Sequence, residues 1–100
     1  MPHKAIKNHS QILKNLRMII KHADKKIAEQ IGKRFQAAKK IAKIKKRNSL
    51  PVTDASRERE LLVYYQKLAA YYKIDRQLLL KIFKALIQFS KSIQKNAKKP

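Results

Sequence analysis

SQILKNLRMIIKHADKKIAEQIGKRFQAAKKIAKIKKR, Ser10 to Arg47, is the stretch on which the fold turns. It contains no Pro, a single Gly and few β-branched clusters, so a helix can run through it unbroken. Leu13, Leu16, Ile20, Ala23, Ile27, Ala37, Ile41 and Ile44 keep the alternating three-four spacing of a heptad seam, and Gln30 and Arg34 are the polar interruptions. At about 1.5 Å of rise per residue such a helix is roughly 57 Å long. A compact monomer of this length has a radius of gyration of only about 13 Å. Two shorter helices can cover only part of such a rod, so another chain must bury the rest of the seam. The expected architecture is therefore an intertwined homodimer in which the long helices pair. The alternative, a solvated helix laced by i,i+4 ion pairs, is disfavoured because the segment holds only Asp24 and Glu29 as acids.

Downstream, Asn48-Ser49-Leu50-Pro51 ends this helix, since Pro cannot continue it and restricts the residue before it. Asp54 is a good N-cap for a second helix over 54–72, with Glu58 near the positive end of its dipole and Leu61, Leu62, Tyr65, Leu68, Ala69 and Tyr72 along it. Asp75 caps a third helix over 76–96 that carries Leu78, Leu79, Ile82, Phe83, Leu86, Ile87, Phe89 and Ile93. Apolar around most of its girth, this helix is expected to pack on several sides. The fold class is all-α: a three-helix protomer with one very long N-terminal helix, in a single domain over 1–100.

The whole chain of 100 residues has 26 Lys+Arg, 6 Asp+Glu, a net charge of +20 and 44% hydrophobic residues. That apolar content argues against a disordered basic tail. With no Cys and only His3, His9 and His22, disulfide scaffolds and zinc fingers are excluded by ligand count. No apolar run approaches the roughly 18 to 20 residues that span a bilayer, so no membrane partner is expected. The opening residues Met1 to Lys7 show no apolar h-region, which makes the cytoplasm the default location. The positive charge is spread along both halves, and Lys outnumbers Arg 20 to six. Proteins that read bases lean on the planar fork of Arg, so specific nucleic-acid binding is the rival reading and not the first one.

Packing does not explain Arg34. It lies on the seam between Ile27 and Ile41, where an unpaired charge is costly, and neither Asp24 nor Glu29 is three or four residues away. It calls for an anionic partner. Lys45 falls within about 20° of the same helix face, whereas Arg17 is rotated by about 100° and could join such a site only from another chain. Asp54, Arg57 and Glu58 share one face of the second helix, as Ser90 and Gln94 do on the third. Each group alone reads as capping or solvated surface. Together with inward cations they suggest a pocket for a small dianion bearing a hydroxyl.

The ordered set Leu16-Arg17, Asp24, Arg34, Lys45, Leu50-Pro51-Val52, Asp54, Arg57-Glu58-Arg59-Glu60-Leu61-Leu62, Ser90 and Gln94 resembles the all-helical (type II) chorismate mutases of bacteria over most of the chain. The resemblance implies an intertwined dimer and a Claisen rearrangement of chorismate to prephenate, in aromatic amino-acid synthesis, with neither cofactor nor metal. It implies that Arg34, with Arg17 of the other chain and help from Ser90, binds the substrate carboxylates. Lys45 would bridge a carboxylate and the breaking ether oxygen, Gln94 would donate to that oxygen, and Asp54 and Glu58 would hold the ring hydroxyl. Arg57 would keep the charge of that turn in order. An isochorismate pyruvate lyase of similar fold is the alternative enzyme. The chain departs from the family pattern at Ile20-Lys21-His22-Ala23-Asp24, where Ile-Asp-x-Ile-Asp is usual, and at Gln30 and Gly32, where larger apolar residues are usual.

Overall fold

Three helices account for the chain in the computed structural model, which describes the backbone of residues 2–98 and the side chains of residues 8–96: α1 (Pro2–Arg47), α2 (Ala55–Tyr72) and α3 (Arg76–Lys98). Among the described residues there is no strand, and the protein is all-α. α1 begins upstream of the expected Ser10, because no Gly or Pro interrupts residues 3–9 and proline's fixed φ suits a first helical position.

α1 ends in a Schellman arrangement: Ser49 N–H donates to Lys46 O (3.3 Å) and Leu50 N–H to Lys45 O (2.8 Å). Ser49 adopts the left-handed conformation, with φ 54°. The end of α2 repeats this closure. Lys73, at φ 56° and ψ 44°, donates to Ala70 O (3.4 Å), and Ile74 donates to Ala69 O (2.9 Å). At the opposite ends the aspartates cap as expected: Asp54 Oδ1 accepts from Arg57 N–H (3.0 Å) and Asp75 Oδ1 from Leu78 N–H (2.8 Å). No helix among the described residues is long and apolar enough to cross a membrane.

The chain divides into two compact units, residues 1–33 and 34–100. In the first, every described side chain from 8 to 30 is exposed. Leu13, Leu16, Ile20 and Ile27, the seam itself, keep 50 to 60% of their surface in water. Local pairs such as Gln11 Nε2 to Asn15 Oδ1 (2.9 Å) and Lys33 with Glu29 (3.5 Å) run along the same helix.

In the second unit α2 and α3 pack together, and the buried apolar side chains among the described residues are Ala38, Ala42, Tyr65 and Ala69. Tyr65 stacks on Phe83, with ring centroids 4.0 Å apart and planes 5° off parallel. The terminal part of α1 reaches α3 through side chains, including an edge contact between Phe35 and Phe89 at 6.4 Å. The expectation that α3 packs on several sides is not met within one chain. Leu78, Ile82 and Phe89 are each about half exposed or more, because only one face of α3 meets α2 and the end of α1.

Candidate active site

On α1, Arg34, Ala38, Ile41 and Lys45 are spaced four, three and four, which aligns them on one face. Ala38 is small enough to be buried there, and it leaves room for the two cations to lean over a cavity of about 310 Å³. Pro51 turns the chain so that Val52 and Asp54 form one wall. α2 contributes Arg57, Glu58, Leu61 and Tyr65, and α3 contributes Ile87, Ser90, Lys91 and Gln94. A cavity of this size with mixed apolar and polar walls suits a small organic guest.

Arg34 is held at three points. Its Nη1 donates to Ser90 Oγ (2.8 Å) and to Leu86 O (3.1 Å), and its Nη2 to Tyr65 Oη (3.4 Å). Lys45 Nζ donates to Val52 O (2.8 Å). All four acceptors are neutral. They orient the guanidinium and the ammonium without cancelling either charge, so both cations remain able to attract an anion. The anionic partner that Arg34 called for is not supplied by a carboxylate among the described residues.

Gln94 is buried, at 7% exposure, and its Oε1 has no hydrogen-bond partner. A buried amide left unsatisfied costs about 1–3 kcal/mol, and a half-turn of the amide presents its NH₂ at the same place. Asp54 uses one carboxylate oxygen on its helix cap. Glu58 forms an ion pair with Lys91 of α3, while Arg57 pairs with Glu60 at 3.6 Å on the surface. The cation paired with Glu58 thus comes from α3.

Arg34, Lys45, Asp54, Arg57, Glu58, Ser90 and Gln94 thus line one cavity. Arg17 lies in the other unit, on an exposed stretch of α1. Tyr65 and Lys91 were missed. Their spacing held a signal, since Tyr65 continues the face of Glu58 and Leu61, and Lys91 is three residues before Gln94.

Residues 16–95 match the model of the family described as chorismate mutase type II. The chain belongs to the type II chorismate mutases. A chorismate mutase of Methanocaldococcus jannaschii is 34% identical over 83 residues, which cover 83% of this chain and 84% of the relative. No solved structure matches. Membership makes the protein a chorismate mutase, an isomerase-type enzyme whose activity belongs to aromatic amino-acid synthesis. The cavity therefore has a substrate to be measured against: chorismate, a small dianion with a ring hydroxyl.

Proposed function

We propose that the cavity between α2, α3 and the end of α1 is where this enzyme turns chorismate into prephenate, by holding a reactive conformer and stabilising its developing charge. The observation that carries the reading is the pair of cations, Arg34 and Lys45, that face one cavity with neutral acceptors alone. Arg34, seconded by Ser90, binds one carboxylate. Lys45 reaches a carboxylate and the ether oxygen.

The rearrangement is unimolecular: as the ether C–O bond breaks, a C–C bond forms within the same molecule, so no group leaves and no proton moves. The enzyme's task is then geometric and electrostatic. Clamping both ends of the substrate selects the diaxial conformer, and negative charge that grows on the ether oxygen meets Lys45 and the Gln94 amide. Both cations are half-buried, so water screens them less than it would on an open surface. Asp54 and Glu58 hold the ring hydroxyl, and Arg57 lines the wall beside them.

The second carboxylate is bound by Arg17 of a second copy in a homodimer. Support comes from the uncovered seam Leu13, Leu16, Ile20 and Ile27 and from a core whose buried apolar side chains, among the described residues, are three alanines and one tyrosine. Fully burying each large aliphatic residue contributes about 1.5–3 kcal/mol, and roughly half of that is not collected within one chain. The working compartment under this proposal is the cytoplasm.

Product analysis tests the chemistry. Purified enzyme given chorismate is expected to consume its absorbance and yield prephenate. An enzyme inert toward chorismate that makes salicylate from isochorismate is a pyruvate lyase, and the proposal falls.

A further inference from the structure

Glu58 stands in the first turn of α2, where its N–H donates to Asp54 O at 3.0 Å, and its carboxylate faces the cavity. The cation beside it in sequence does not serve it. Arg57 turns to Glu60, with both side chains more than 60% exposed, so that contact is a solvated surface pair. Glu58 is instead engaged through Oε1 by Lys91 Nζ, reaching across from α3, with side-chain exposures of 29% and 19%. Lys91 is itself a cavity residue, next to Ser90, which holds Arg34, and three residues before Gln94.

We propose that Lys91 is a positioning residue for the ring hydroxyl: by fixing Glu58 Oε1 it turns Glu58 Oε2 toward the substrate as an acceptor. A carboxylate on a flexible stem in the first turn of a helix samples several rotamers, and an ammonium anchored on a second helix selects one of them. The pair also sets a specificity. A site with a fixed charged acceptor prefers a guest carrying a hydroxyl there, because without that donor the acceptor loses its bond. The proposal rests on the reading that Glu58 faces the hydroxyl.

The test uses full-length enzyme, chorismate, and an analogue with hydrogen in place of the ring hydroxyl. Lys91→Met is expected to lower kcat/KM for chorismate about tenfold while leaving the analogue within about twofold. Lys91→Arg is expected to restore most of the loss, and Lys91→Met combined with Glu58→Gln to be no worse than the weaker single variant. If Lys91→Met slows both substrates equally, Lys91 acts only as a general attractor of dianions and the proposal is overturned. If it lowers thermal stability but leaves kcat/KM per folded molecule intact, the pair is structural and the proposal is again overturned. Glu58→Gln separates the two levels of the argument. A Glu58→Gln enzyme that discriminates the two substrates as sharply as the wild type removes the charge of Glu58 from the hydroxyl reading, whereas loss of discrimination in Glu58→Gln but not in Lys91→Met overturns the role of Lys91 alone.

Discussion

Arg34 keeps a full positive charge among neutral acceptors, an arrangement that gains most when a carboxylate arrives. Removing it deletes the charge and also takes a donor away from the Ser90 hydroxyl that it binds. Arg34→Ala is expected to lower kcat/KM by roughly a hundredfold or more, and Lys45→Ala to do the same through kcat, because Lys45 faces the oxygen that gains charge. Chorismate consumption assays should show these losses while circular dichroism shows helix content unchanged; near-normal turnover in either variant would refute the assignment. Both cations were legible in the sequence because each violates a pattern: Arg34 breaks an aliphatic seam, and Lys45 shares its face. Lys91 and Tyr65 were not. One is a lysine among 20 and the other an aromatic at a core position, so spacing puts each on the right face, but only the packing of the helices shows that an ammonium meets Glu58 and a phenol meets Arg34.

Among the elements, the boundaries inside the chain were easier to read than the backbone conformations that close them. Asp54 and Asp75 advertise their caps by residue type, and Pro51 announces that α1 has stopped. The left-handed residues that close α1 and α2 are Ser49 and Lys73, types that give no warning of a positive φ. The one glycine sits elsewhere, inside α1 at Gly32, where an added Cβ meets nothing within 4 Å. Glycine is thus absent where the backbone favours it and present where a helix does not. Lys73→Gly is expected to raise stability by about 1 kcal/mol through relief of the left-handed penalty. Gly32→Ala should add about 0.5–1 kcal/mol by narrowing the unfolded ensemble. Thermal unfolding of each variant checks both; a midpoint that falls in either case contradicts the corresponding backbone argument.

At the level of the whole molecule, the question is where the uncovered aliphatic surface of α1 and α3 goes. Leu13, Leu16, Ile20 and Ile27 lie along one stripe of α1, and Leu78, Ile82 and Phe89 are open on α3. If a second copy covers the α1 stripe and brings Arg17 to the cavity, each active site takes Arg34 and Lys45 from one chain and Arg17 from the other. Arg17→Ala and Lys45→Ala homodimers are then both impaired, for different reasons. Refolding the two variants together at equal concentration gives mixed dimers in which one site joins an intact Lys45 to an intact Arg17, while the other site carries both lesions. Random pairing in a two-fold dimer predicts recovery of about one quarter of wild-type activity. The mixing is best done in high salt, because a chain of net charge +20 repels its copy and screening relieves that repulsion. Absence of recovery in a mixture shown by sedimentation to be dimeric would place Arg17 outside the neighbouring site, and a monomer at every salt concentration would remove the shared site altogether.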